Sequence, residues 1–324
     1  MPSKNKGKIS SRKQNNTIYT FIFCLKNIIM GKHAFLLGVY TNPDYTDAII
    51  NQLLSDKTNI YVHVNDLNWA DFIPLAKKYE NSNNVMFIHD IKVLWGGSTL
   101  QQSIMCMLGK ALQNKENSYF HLITGQDILI KPLEDLFSFF EGNINSYVSY
   151  FKLPDPNRFA GGGLERFDYY QLYDLLDCRK RGIKTKLNKL FLLIQKTFHL
   201  KRSKLPFKQI YGGSGWWSLQ RNAAVYVYKE WFDNRIYKRL AHTFAPDEMI
   251  VMTLLLNSDK HFPVVNDNLR FMIWEAGLSG PRNLTISDFD KLKHTNAFFA
   301  RKMNPVDNAD LYHKINKELN KTEI

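Results

Sequence analysis

Cysteine is scarce in this chain: 324 residues contain three, Cys24, Cys106 and Cys178, set far apart. They offer neither an even disulfide framework nor the close spacing of metal ligands, so buried free thiols in a reducing compartment are expected. Long apolar runs are lacking as well. Residues 18–25 are apolar, but Lys26 and Asn27 interrupt them, and a bilayer-spanning helix needs about 20 apolar residues. Acidic residues are missing from two stretches, the N-terminal tail and residues 179–208.

Those two stretches hold most of the excess positive charge in a chain of formal net charge +13. The tail carries Lys4, Lys6, Lys8, Arg12 and Lys13, and the second stretch carries Arg179, Lys180, Arg181, Lys184, Lys186, Lys189, Lys196, Lys201, Arg202, Lys204 and Lys208. The tail and the apolar residues after it have the order of a signal peptide, yet no convincing small-residue cleavage site follows. Met30-Gly31-Lys32-His33, directly before the first good strand, offers an alternative translation start. Residues 1–29 are therefore expected to be a basic leader, either disordered or a weak anchor. Residues 30–324 are expected to form one domain. Their hydrophobic share, 44% for the whole chain, is ample for a core.

The pattern along that domain alternates. Residues 34–40 form a continuous apolar run, as a buried parallel strand requires. Pro43 and Asp44 open a helix, residues 60–64 make a second strand, residues 70–79 a helix and residues 85–88 a third strand. Ser98 is a suitable cap for a helix over 99–112, and a strand over 119–123 ends in Thr124-Gly125-Gln126-Asp127. A helix follows Pro132, a strand covers 147–151, and the last helix starts near Ala309. Strand and helix in this alternation predict an α/β fold with a doubly wound sheet. Ligands of such sheets bind where the carboxyl ends of the strands meet, which would gather Asn65, Trp95 and Asp127 at one crevice. Residues 152–210 differ: Pro154, Pro156 and Gly161-Gly162-Gly163 lead into helical patterns and the basic stretch.

Six unusual strings then occur in one order: Trp95-Gly96-Gly97-Ser98, Thr124-Gly125-Gln126-Asp127, Gly212-Gly213-Ser214-Gly215-Trp216-Trp217, Pro246-Asp247-Glu248, Asn268-Leu269-Arg270-Phe271 with Trp274, and Phe299-Ala300-Arg301-Lys302. This series resembles the core-2/I-branching family of N-acetylglucosaminyltransferases, which also includes peptide-O-xylosyltransferases, over roughly residues 33–310. The resemblance implies a GT-A-type fold, a mixed sheet flanked by helices, and inverting transfer from a UDP-sugar to a glycan or lipid-linked glycan acceptor, giving a β-linked product without a metal ion. The donor sugar implied is N-acetylglucosamine, with UDP-xylose as the alternative. Within the domain, the basic helical stretch at about 172–210 is an insertion outside the matching motifs.

The same resemblance makes Glu248 the catalytic base and Lys302 the cation at the pyrophosphate. Arg301 and Arg282 are candidate further cations, and Val39, Asn65, Trp95 and Asp127 candidate nucleotide-sugar contacts. Trp216, Trp217, Trp274 and, on a looser match, Arg158 and Glu165 are candidate acceptor contacts, with one of Trp216 and Trp217 expected to point inward. Elementary chemistry is compatible. Inversion needs one carboxylate to take the acceptor hydroxyl's proton, Pro246 fixes a turn, and Asp247 can cap the helix that follows; taken alone, both acids suit simple capping better than catalysis, and the resemblance reverses that. Developing charge on UDP needs a counter-charge. The one Asp-X-Asp string, Asp288-Phe289-Asp290, lies far from the strand end where a metal motif belongs, in what reads as a surface helix, so Arg301-Lys302 are left to supply it. Asn65 departs from the family's usual acid but can accept the same hydrogen bonds without charge.

Leu187, Leu190, Phe191, Ile194 and Phe198 recur at helical spacing with lysines between them. Such a helix either lies on an anionic membrane surface or packs on the domain with a solvated basic face. No nucleic-acid recognition motif accompanies the charge, although a non-catalytic binding protein is the alternative of a different class. The expected setting is the cytoplasmic side of a bacterial cell, peripheral on the inner face of the plasma membrane, since the few cysteines do not suit the disulfide-bonded lumenal form of animal relatives.

Overall fold

A strand buried on both faces has to be apolar at nearly every position, and β1 (Lys32–Val39) meets that requirement. Phe35, Leu37 and Val39 enter one core while Ala34 and Leu36 enter the other, the period-two division that a continuous apolar run allows. The computed structural model describes residues 31–179, 182–275 and 280–320. The leader expected at residues 1–29 lies outside them, as do Lys180 and Arg181. From Lys32 onward the chain packs as one unit.

The strands β2 (Thr58–Val64), β3 (Val85–Ile88), β4 (Asn117–Thr124), β6 (Ser146–Leu153), β7 (Ile210–Gln220) and β8 (Val264–Val265) join β1 in a seven-stranded sheet of order β3-β2-β1-β4-β7-β6-β8. The first four of these in spatial order are parallel, and β7 then runs antiparallel to both β4 and β6. A smaller sheet pairs β5 (Asp127–Leu129) with β10 (Phe299–Arg301), and β10 with β9 (Arg270–Met272).

The helices are α1 (Pro43–Leu53), α2 (Trp69–Lys78), α3 (Ser98–Gln113), α4 (Leu133–Phe140), α5 (Glu165–Asp168), α6 (Ile183–Thr197), α7 (Arg221–Asp233), α8 (Ile236–Leu240), α9 (Ile250–Leu256), α10 (Phe289–His294) and α11 (Ala309–Ile315). Helices α1, α2, α4, α10 and α11 bury side chains in one core, and α3, α7, α8 and α9 in the other. The α/β fold and mixed, helix-flanked sheet expected from the sequence are therefore the observed architecture. Among the described residues no helix is long and apolar enough to cross a membrane.

Two expected caps turn out otherwise. Gly97 is the residue before α3, and Ser98 is helical, with its hydroxyl on the Asp174 carboxylate at 2.8 Å. Asp247 does not cap the helix: Met249 precedes α9 without a side-chain cap, and Asp247 is half-buried with its Oδ1 unpartnered. Asp288 is buried rather than on a surface helix, but it does cap, exchanging hydrogen bonds with Thr285 in a reciprocal box.

Candidate active site

Three of the six strings converge on one buried cluster. Asp127 opens β5 directly opposite Arg301 of β10, and Arg301 Nη1 donates to Asp127 Oδ1 at 3.0 Å and to Thr124 Oγ1 at 2.9 Å. The other carboxylate oxygen accepts from the Thr124 backbone at 2.6 Å and from Trp216 Nε1 at 3.2 Å. The Arg301 guanidinium lies 3.9 Å from the centre of the Trp216 ring. Acid, cation and ring partner one another, with the Arg301 Nε alone left without a hydrogen bond. Both charged groups are thus committed to each other.

The peptide bond after Arg301 is cis, and Lys302 follows. Its ammonium forms no salt bridge with a described residue, and burial, then the neighbouring Arg301 charge, lower its pKa. Gly280 runs so close that a Cβ there would lie 3.2 Å from Lys302 Nζ. Of the three candidate cations Lys302 is the one left available. Arg282 is engaged by a bidentate pair with Asp288 at 2.7 and 2.8 Å and by Glu275 at 2.7 Å. The hydrogen bonds from Arg282 hold the Asp288 carboxyl down at about 2.

Glu248 ends a single 3-10 turn, Pro246–Glu248, that Met249 separates from α9. Its carboxylate is therefore fixed less by a helix end than by Arg166, whose Nη1 donates to Oε2 at 2.7 Å. The Arg166 guanidinium is sandwiched between Phe159 and Phe244, 5.0 and 4.9 Å from the ring centres. The Glu248 side chain is 44% exposed and faces a shallow depression lined by Phe151, Phe159, Arg166, Gly212 and Gly213. A larger cavity of about 370 Å³ between α3 and α7 contains none of the motif residues.

Asp247 is half-buried beside Glu248, with Oδ1 buried and unpartnered and Oδ2 3.0 Å from where a Gly215 Cβ would be. Glycine at 215 is what lets strand β7 pass this carboxyl. Burial, then the charge of Glu248, push the Asp247 pKa up to about 7. Because the folded value exceeds the ordinary 3.8, ionising Asp247 costs stability, at most about 4 kcal/mol. That cost is absent below pH 4, grows up to pH 7 and is constant above. Asp247→Asn should accordingly gain melting temperature over wild type progressively between pH 4 and pH 7, by several degrees at pH 8; a difference that does not change with pH would refute the assignment.

The remaining candidates divide. Trp217 is 1% exposed and belongs to the core, so it is the inward member of the pair. Trp216 is spent on the buried cluster, whereas Trp274, just past β9, is 62% exposed. Arg158 pairs with Asp155 at 3.1 Å and covers Phe151, at the edge of the Glu248 depression. Asn65 uses its amide on both backbone groups of Val93, at 2.9 and 3.0 Å, so it shapes the loop leading to Trp95 instead of pointing at a ligand. Val39 is buried, and its carbonyl accepts from the Asn65 backbone at 2.9 Å. Trp95 is exposed and packs at its base on Phe244 and Tyr173.

Sequence reasoning missed two residues. Arg166 was hidden in the irregular passage beside Glu165, with no spacing to mark it. Asp174 accepts from Ser98 and from the His242 backbone, clamping the Trp95 loop, and a side chain would clash at Gly96 and Gly97 against Phe244 and Asp174.

Contacts run from Glu248 through Asp247, Gly215 and Trp216 to Arg301 and Lys302. The strings that are ordered in sequence are thus joined in space. The family description Core-2/I-Branching enzyme matches residues 33–297. Comparison with curated proteins returns no match. Among solved structures, the apo-form glycosyltransferase GlyE of Streptococcus pneumoniae TIGR4 is similar over 74% of this chain and 46% of its own, at 12% identity and a TM-score of 0.32. The chain thus spans about half the length of that protein. With four fifths of its length matched by the family description, the chain belongs to the core-2/I-branching enzyme family.

Proposed function

We propose that the chain is an inverting glycosyltransferase that moves a sugar, N-acetylglucosamine in the first instance, from a UDP-sugar to a glycan hydroxyl, on the cytoplasmic side of the membrane. The observation that carries this reading is the Glu248 carboxylate: accessible, oriented by Arg166, and set in a shallow depression beside Phe151 and Phe159. A base so placed takes the acceptor proton as the oxygen attacks the anomeric carbon, and the new bond forms on the face opposite the departing UDP. The Lys302 ammonium, with no acid among the described residues to neutralise it, supplies the counter-charge for the diphosphate. Among the described residues no group of three or more His, Cys, Asp or Glu is placed to hold a metal ion, and in this reading Lys302 acts in a metal's stead.

The test is transfer from a panel of UDP-sugars, UDP-N-acetylglucosamine and UDP-xylose included, with and without chelator. Donor-dependent activity that persists in chelator is expected; activity restored only by a divalent cation overturns the metal-free part. Lys302→Ala should weaken UDP binding about 10-fold, on the order of 1.4 kcal/mol, without lowering the melting temperature. Unchanged UDP affinity in this variant, measured by calorimetry, removes Lys302 from the diphosphate site.

A further inference from the structure

Helix α6 is mounted the reverse of an ordinary surface helix. Its two most buried side chains are polar: Asn188 accepts from the Leu172 backbone at 2.7 Å and donates to Gln171 at 3.0 Å, while Gln195 exchanges two hydrogen bonds of 2.9 Å with the Tyr170 backbone. Phe191 and Leu192 are half-buried beside them, but most of its apolar side chains point to solvent. Ile183, Leu187, Leu190, Leu193, Ile194 and, just past the end, Phe198 are all exposed, Ile183 and Phe198 by 70% and 69%. At 100° per residue, Ile183, Leu187, Leu190 and Ile194 fall within an arc of about 60°. Lys186 lies about 40° beyond that arc on one side and Lys184 about 60° beyond it on the other, with Lys189 farther round, and none of the three forms a salt bridge with a described residue. Leaving this much aliphatic surface in water is unfavourable, and such a patch ordinarily marks a contact.

The charge around the patch selects the occupant. No acid occurs from residue 179 to residue 208, so a second copy seated on this face would meet the same lysines with nothing to pair them. Nucleic acid would satisfy the lysines but not the aliphatic row. We propose that α6 seats on an anionic phospholipid bilayer, its leucines and isoleucines at the acyl boundary and its lysines among the headgroups. At the flank of the helix, the exposed Lys196 pairs with Glu165 at 2.9 Å, next in sequence to the Arg166 that contacts Glu248. Given the transferase reading, α6 seated on a bilayer would hold the enzyme at the surface where a lipid-linked glycan is presented.

Sedimentation of the full chain with vesicles tests the proposal independently of any activity. Phosphatidylcholine vesicles containing phosphatidylglycerol should carry the protein down, and phosphatidylcholine alone should not. Two variants remove the two halves of the surface, Lys184→Gln with Lys186→Gln and Lys189→Gln, and Leu187→Ser with Leu190→Ser and Ile194→Ser. All six positions are exposed, so both variants should melt like wild type, and each should lower partitioning by about 10-fold or more. The proposal is overturned if the wild type does not sediment with anionic vesicles, if both variants sediment as it does, or if the serine variant disperses a dimer while still binding lipid. Donor-dependent transfer with no vesicle binding would sink this proposal alone.

Discussion

Glu248→Gln should reduce kcat for sugar transfer by about 1,000-fold while leaving UDP affinity within about two-fold of wild type. The reason is chemical: a glutamine amide is close to isosteric with the carboxylate but cannot accept the acceptor hydroxyl's proton, and a positioned base contributes roughly 10²–10⁴ in rate. The amide oxygen can still accept from Arg166, which lies 2.7 Å from Glu248 Oε2, so the depression should keep its shape. Only the acid–base function is lost. The measurement is steady-state transfer beside calorimetric titration with UDP. Wild-type turnover in the variant would remove Glu248 from the base role. A parallel collapse of UDP affinity would instead mean that the carboxylate organises the donor pocket.

Why Glu248 stood out in the sequence and its support did not comes down to chain distance. Glu248 stands in a string whose residue types are chemically unusual together, and an apolar helix follows it. Arg166, which holds it, is 82 positions away, in a passage whose local pattern reports only irregularity. The parallel strands were readable because burial on both faces leaves a continuous apolar run, as in β1, whereas the antiparallel β7 carries Gly212-Gly213-Ser214-Gly215 in its middle and lacks that signature. The tryptophan pair shows the opposite situation. In a strand, adjacent side chains point to opposite faces, so one of Trp216 and Trp217 had to turn inward, but only the packing of β7 against β4 and β6 decides that it is Trp217. Arg270 is a further instance. Its string looks like a ligand motif, yet its guanidinium is buried against the Leu122 and Trp217 carbonyls and the Ser218 hydroxyl. Burial pulls its pKa down to about 10. A buried cation used as backbone glue and a cation awaiting a phosphate look identical in one dimension.

The same ambiguity gives the largest expected effect on stability. Asp127 and Arg301 both sit where nucleotide contacts were expected, but they are 1% and 5% exposed and bonded to each other at 3.0 Å. Removing one partner of such a pair strands a buried charge, which costs about 3–5 kcal/mol. Asp127→Ala should therefore lower the melting temperature by about 6 °C or more, at roughly 2 °C per kcal/mol for a chain of this size. The loss also frees Trp216 Nε1 and the Thr124 backbone amide, both now held by the same carboxylate. Asp127→Ala with Arg301→Leu should recover a measurable part of the deficit, because no unpaired cation remains. A double-mutant cycle built from thermal unfolding isolates that coupling. If the pair is scaffold, UDP binding weakens only as the fold weakens, and ligand saturation at low temperature restores near-normal affinity. If Asp127→Ala melts like wild type but no longer binds UDP, the carboxylate belongs to the ligand and the buried cluster is not what holds Lys302 in place.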